Sequence, residues 1–271
     1  MLKELAKKDK RKYVLVNSGN YDYKGGEISV QSFQIQNTEV SNLEYRTFLY
    51  DLLLQGRKEE YLKAKPDEKL WTELLSIGIK MEDDYSTKIT YNNFPVVNIS
   101  REGAELYCTW LNGEFQKSNF PKTNIRYNDL RIPTRIEWII AASSEGKQYP
   151  YPWYGEFLRD RKGYYIANLQ PIPGKYKEDG GITPVKVNSY PTNELGLYNM
   201  SGNVAEMVND SNSEAKKEPG TAGGGWMDSP EEIKILSEDK YKGIVNGHPN
   251  IGFRVCFSHI STPPTDPKQN P

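Results

Sequence analysis

The sequence predicts a loop-rich α+β domain, and three observations point to it. First, 271 residues without an internal repeat suit one large domain with a substantial core. Second, helix-starting signals cluster between residues 41 and 142, whereas beyond about residue 145 Gly, Pro and Asn interrupt every apolar run. Third, 19 Tyr, 22 Gly and 17 Pro exceed what a helical bundle carries, so aromatic side chains must anchor much irregular backbone.

In chain order, residues 1–12 form a basic arm whose Lys7 to Lys12 run reads as a solvated segment. Ser41 and Glu44 stand in capping-box spacing ahead of Leu43, Phe48, Leu49, Leu52 and Leu53, which predicts an amphipathic helix stopped near Gly56. Residues 56–93 are polar around Trp71, Leu74 and Leu75 and read as an inserted helical excursion over the surface. After the apolar run Phe94-Pro95-Val96-Val97, Ser100 opens a second helix carrying Ala104, Tyr107, Cys108 and Leu111, with Cys108 facing the core and Gly113 as the stop. Thr134 and Glu137 cap a third, short helix through Ile136, Ile139 and Ile140 to Ala142. Val185-Lys186-Val187 and Phe253 to Phe257 read as short strands, and residues 259–271, rich in proline, as a disordered tail. The domain proper is thus expected over 13–258.

Composition removes several classes of function. Lys+Arg 35 against Asp+Glu 36 leaves a net charge of −1, so no long-range field draws the chain to nucleic acid. No apolar run approaches the ~20 residues that span a bilayer. Met1-Leu2-Lys3-Glu4 has no apolar stretch behind its charges, so the expectation is a start without an export signal, leaving open a trimmed leader with its own lipid anchor. Two cysteines, Cys108 and Cys256, are too few for a Cys-based zinc site or a dense disulfide framework, though one disulfide stays open. His248 and His259 lie in no catalytic motif and read as surface or hydrogen-bonded residues.

Two segments have the oxygen density that a hard cation favours, since calcium takes six to eight oxygens from carboxylates, amides and carbonyls. One pairs Asn168 with Asp179-Gly180-Gly181; the other runs from Gly196 to Glu206, where Asn203 and Glu206 could close on one ion. Neither is an EF-hand loop, and the plain alternatives are a turn and a capped loop end. Gly223-Gly224-Gly225-Trp226 matches no phosphate-binding fingerprint and reads instead as backbone packed tightly beside a buried Trp.

Several phrases together resemble the formylglycine-generating enzyme, or sulfatase-modifying factor, family. They are Asn37-Thr38-Glu39-Val40-Ser41-Asn42-Leu43-Glu44-Tyr45, Phe94 to Ser100, Tyr107-Cys108-Thr109-Trp110, Arg131 to Trp138, Tyr151-Pro152-Trp153, Gly196 to Glu206, Gly224-Gly225-Trp226 and Ile251-Gly252-Phe253-Arg254. The resemblance implies one C-type-lectin-like domain, low in regular secondary structure and stabilised by calcium. It carries one calcium to Asn168 and Asp179 with the carbonyls of Leu169 and Gly181. It carries a second to Asn203 and Glu206 with carbonyls near Ser201, Gly202 and Val204. It also implies a disulfide between counterparts of Cys108 and Cys256, but Cys256 sits one residue late, and a single step along a strand reverses the side-chain face.

Family enzymes use a cysteine pair between the Gly-Gly-Ser-Trp segment and Gly-Phe-Arg to bind copper and oxidise a substrate cysteine to formylglycine. Here no cysteine lies between Trp226 and Gly252, and the Asp, Glu and Lys present cannot replace a soft thiolate. The resemblance therefore implies a non-catalytic, calcium-stabilised scaffold or binding domain without copper. The segment after Asn37 is similar to cell-envelope lipoproteins of gliding and type IX secretion bacteria, which implies a periplasmic or outer-membrane-associated place and envelope protein partners. The competing readings are an oxidoreductase with a non-standard centre, for example around His248, and a carbohydrate-binding module whose Tyr and Trp stack on sugar.

Overall fold

In the computed structural model, which describes residues 12–77, 84–117, 129–172, 183–210 and 218–258, four strands open the chain. They are β1 (Tyr13–Val16), β2 (Gly19–Tyr23), β3 (Gly26–Val30) and β4 (Phe33–Gln36), and helix and loop signals alone did not foresee them. β2 and β3 form an antiparallel hairpin, while β1 pairs with β4 so that Tyr13 faces Gln36.

α1 (Asn42–Leu54) follows, its N-cap Ser41 and N3 residue Glu44 closing the expected capping box. Its core stripe is narrower than the leucine spacing suggested: Tyr45, Phe48 and Leu52 are buried, while Leu53 is exposed. The insertion is helical where it is described, with α2 (Lys58–Ala64) and 3₁₀ segments at Glu68–Ile77 and Ile89–Tyr91. It is more than a surface excursion, because Trp71, Leu74 and Tyr85 are buried and pack with Val97 and Trp226.

α3 (Arg101–Lys117) begins where Ser100 Oγ accepts from Gly103 N at 3.0 Å, and it runs past the expected stop at Gly113 to Lys117. α4 (Arg135–Ala142) carries the second capping box, from Thr134 and Glu137. Beyond it, β5 (Ala205–Asn209) lies between antiparallel β6 (Pro219–Ala222) and parallel β7 (Ile251–Gly252), and β8 (Cys256–Ser258) completes the first sheet beside β4.

Two expected strands are corrected. Val185 to Val187 is irregular backbone, because its groups bond to the side chains of Asn199 and Asn203 and to the Asn93 carbonyl instead of to a neighbouring strand. Phe253 to Val255 breaks between β7 and β8, and this break turns Arg254 inward. The basic arm up to residue 11, and the tail 259–271 with His259, lie outside the described residues.

Cys108 and Cys256 are both buried and are not joined in a disulfide. Side-chain parity along the last strand sorts them: Val255 and Phe257 enter the cluster that holds Cys108, Tyr45, Phe48 and Tyr107, whereas Cys256 enters the cluster of Trp138, Ile35 and Val208. The one-residue offset therefore sends the Cys256 side chain away from the helix that carries Cys108.

Candidate functional site

Asn168 and the segment from Gly196 to Glu206, each expected to hold a cation, meet in space. Asn203, left-handed at φ 66°, donates its backbone N–H to the Asn168 carbonyl at 2.8 Å, while Asn168 Nδ2 donates to Asn203 Oδ1 at 3.2 Å. Gly202 is obligatory at this crossing. Its φ is +79°, and a β-carbon there would collide with the Asn168 carbonyl oxygen.

From this crossing a buried polar network extends to the N-terminal half. Asn203 Nδ2 donates to Glu39 Oε1 at 2.8 Å and Asn199 Nδ2 donates to Glu39 Oε2 at 3.2 Å. Glu39 is fully buried just after β4; removal from water pushes its carboxyl up to about 8, with nearby Glu206 adding and Arg254 opposing. Glu206, on β5, takes Trp138 Nε1 at 2.7 Å and a two-pronged ion pair from Arg254, one prong at 2.5 Å from Nε and the other from the second guanidinium nitrogen. Arg254 also donates to the carbonyls of Gln36 at 3.0 Å and Tyr198 at 2.8 Å, so its fork ties together three distant segments.

The donor set can be tested for a cation. Asn168 Oδ1 and Asn199 Oδ1 are buried and accept no hydrogen bond among the described residues, and an orphaned buried oxygen of this kind is one that a hard cation satisfies. Asn168 thus fits its expected role; Asp179 and Gly181, its expected partners, lie outside the described residues, and the Leu169 side chain packs into the core with Tyr151 and Ile233. The pairing of Asn203 with Glu206 fits less well. Asn203 Oδ1 already accepts from Val185 N at 2.8 Å and from Asn168, and the carboxylate of Glu206 is held by Arg254 and Trp138. Nearby, Ser201 Oγ donates to the Ile233 carbonyl at 2.6 Å, and Val204 packs against Trp226 and its neighbours. No group of three or more His, Cys, Asp or Glu able to hold a metal occurs among the described residues, so a cation here would depend on amide and backbone oxygens.

Glu39, Asn199 and Arg254 carry this network, yet none was singled out from the sequence as a site residue. Arg254 alone carried a signal, a charged side chain between Phe253 and Val255; Glu39, after Asn37 and Thr38, and Asn199, close to Ser201 and Asn203, stand among other polar residues that do not mark them out.

A second cluster fills the interval after Trp226. Asp228, fully buried, accepts from Gly225 N at 2.7 Å, Tyr241 Oη at 2.7 Å, Lys240 Nζ at 2.9 Å and Asn250 Nδ2 at 2.7 Å. Burial and the adjacent carboxylate raise the Tyr241 phenol well above its ordinary value. His248 packs its ring 5.0 Å from that of Tyr241 and accepts from Asn250 N at 3.1 Å. The glycines ahead of Trp226 act as spacers, since a β-carbon on Gly223 would lie 2.8 Å from the Trp138 ring and one on Gly224 2.8 Å from the Glu232 carbonyl oxygen. No exposed thiol is near, and burial holds the Cys256 thiol well above the usual range despite the Arg131 guanidinium.

Comparison with known proteins places these features in context. A family model described as sulfatase-modifying factor enzyme 1-like domain matches residues 1–258. Inactive C-alpha-formylglycine-generating enzyme 2 of Bos taurus is 30% identical over 179 residues, covering 63% of this chain and 52% of the relative. Formylglycine-generating enzyme of Mus musculus is 25% identical over 207 residues, 68% of this chain and 50% of the relative. Chaperone protein LppX of Paenibacillus barcinonensis is 31% identical over 141 residues, 48% of this chain and 50% of the relative. The chain spans about half the length of these curated relatives. Among solved structures, CarF aligns with a TM-score of 0.55 and 21% identity over 92% of this chain and 98% of that one. PvdO from Pseudomonas aeruginosa gives 0.55 and 19% over 92% and 94%. At such identities the likeness is one of fold.

Proposed function

Since the chain belongs to the sulfatase-modifying factor enzyme 1-like family and has that family's loop-rich α+β fold, we propose that it is a non-catalytic recognition domain, stabilised by calcium and working in the cell envelope. One observation carries the non-catalytic reading. Where the resemblance leads one to expect a copper-binding cysteine pair, the segment from Trp226 to Gly252 has no sulfur ligand except Met227, and its buried Asp228 is saturated by four donors. The two thiols of the chain lie in the core, out of reach of a substrate.

Calcium is proposed at Asn168, whose buried side-chain oxygen accepts no hydrogen bond among the described residues, together with Asp179 and the carbonyls of Leu169 and Gly181. When bound, the ion supplies positive charge that fixes the loops which no β-ladder holds. Arg254 does the equivalent work beside Glu206 with a covalently attached cation. The envelope placement rests on the likeness of the segment after Asn37 to gliding and type IX secretion lipoproteins, and protein partners are supported by the relative named as a chaperone protein.

The decisive experiment supplies the purified chain with copper, oxygen and a cysteine-containing peptide. The thiol is expected to survive intact by mass spectrometry; its conversion to formylglycine overturns the proposal. Cell fractionation with an antibody tests the envelope placement, and recovery in the cytosol overturns it.

A further inference from the structure

Outside the polar network, a cleft of about 670 Å³ opens between the tip of the β2–β3 hairpin, the segment leaving α4 and residues 231–238. We infer that this cleft binds a neutral oligosaccharide; the inference rests on the reading of the chain as a recognition domain and adds the chemical class of what is recognised.

The cleft is built in advance of any ligand. Ser144, Glu145 and Gly146 at the exit of α4 all have positive φ, at 51°, 66° and 88°. For the two residues with a β-carbon this conformation is strained and persists only where surrounding contacts enforce it. Those contacts are visible. Glu145 Oε1 accepts from Asn17 N at 3.0 Å and Asn17 Nδ2 at 2.8 Å, which fixes the hairpin to the α4 exit. Ile235 N donates to the Pro150 carbonyl at 2.8 Å, which fixes residues 231–238 to the segment leaving α4. Walls held at two seams lose little freedom when a ligand enters.

The lining then selects the ligand. Tyr23 projects from the hairpin and Tyr149 from the α4 exit; beyond Tyr149, Tyr154 meets it edge to face at 5.3 Å and is 83% exposed. Aromatic surface of this kind stacks on the apolar face of a pyranose ring. In the same lining, Asp22, Gln148 and Ser237 offer a carboxylate, an amide and a hydroxyl, the acceptors and donors that a ring of hydroxyls requires. The charged lining carries both signs and comes close to balance: Lys147 pairs with Glu194, Lys234 with Glu231 and Glu232 with Lys240, which leaves Asp22 and Glu238 against Lys24. A nearly neutral wall gives a polyanion or a polycation little to gain, whereas an uncharged hydroxylated chain loses nothing by entering.

Titration calorimetry of the intact chain with chitohexaose, cellohexaose, mannohexaose and maltohexaose tests this, with heparin and polylysine as charged controls. At least one neutral hexasaccharide is expected to bind. Tyr149→Ala and, on the opposite wall, Tyr23→Ala are each expected to weaken that binding about tenfold with an unchanged melting temperature. Tyr50→Ala, on the far exposed face of α1, is expected to leave it unchanged. Silence toward all four sugars, binding that survives both cleft substitutions, or preference for heparin or polylysine overturns the inference. Because thiol inertness and calcium-dependent melting are read separately, failure in the cleft removes the sugar while leaving the recognition-domain reading intact, and formylglycine formation removes that reading itself.

Discussion

Replacing Arg254 by methionine tests whether the buried ion pair organises the domain. Arg254 and Glu206 are at most 1% exposed, so water cannot compensate either charge once its partner is gone. Arg254→Met keeps most of the volume but leaves the Glu206 carboxylate with Trp138 Nε1 alone and strips donors from the carbonyls of Gln36 and Tyr198. Breaking one side of such a pair costs about 3–5 kcal/mol. For a chain of this length that lowers the melting temperature by on the order of 10 °C. Arg254→Met/Glu206→Met removes both charges, so the second substitution should return stability, with a coupling of about 2 kcal/mol in a urea-denaturation cycle. If Arg254→Met unfolds within about 1 kcal/mol of the parent, or if the double variant loses the full sum of the single losses, the pair is not what holds β5 to the chain beside it.

Calcium is expected to raise the melting temperature of the parent chain and a chelator to lower it, whereas Asn168→Ala should melt at the same temperature with and without the ion. Gly202→Ala should prevent folding or cost several kcal/mol, since it meets the Asn168 carbonyl at φ +79°, while Gly25→Ala, at the same φ but in open space, should cost only about 1 kcal/mol by chemical denaturation. Burial alone would raise the Glu137 carboxyl, but the Arg131 fork and the Thr134 cap outweigh it and its net shift is downward. Its contribution is therefore present above the ordinary glutamate value of 4.5 and lost as pH falls below it, so Glu137→Gln should flatten the acid limb of a stability-against-pH curve.

The helices were legible because their signals are local. Ser41 with Glu44 and Thr134 with Glu137 close capping boxes three residues apart, and such spacing survives whatever the rest of the chain does. β1 to β4 were less legible: Gly19–Tyr23 and Gly26–Val30 alternate polar with apolar residues as strands do, but each is only five residues long, and the hairpin takes its place by docking through Asn17 onto Glu145 and through Tyr21 against Gly146 at the α4 exit. Within the site, the asparagine-rich segments could be recognised as oxygen-dense, and the buried Asn168 Oδ1 accepts no hydrogen bond among the described residues. What no local pattern could show is that Glu39 reaches Asn203, 164 positions later, or that Arg254 would take the carboxylate of Glu206.

This division has a physical cause. A loop that cannot pair its backbone in a ladder must have its polar groups satisfied by side chains drawn from elsewhere, and those partners are unconstrained in sequence distance. Here Asn203 serves Val185, Asn168 and Glu39 at once, and Arg254 serves Gln36, Tyr198 and Glu206. The loop-rich half is consequently ordered from within by a network whose members are nearly all buried. Its outer surface, including the cleft beside α4, does not share those residues. Substitutions at Tyr23 or Tyr149 can therefore alter recognition without disturbing Glu39, Glu206 or Arg254, and a domain built this way can exchange ligands at its surface while its core stays the same.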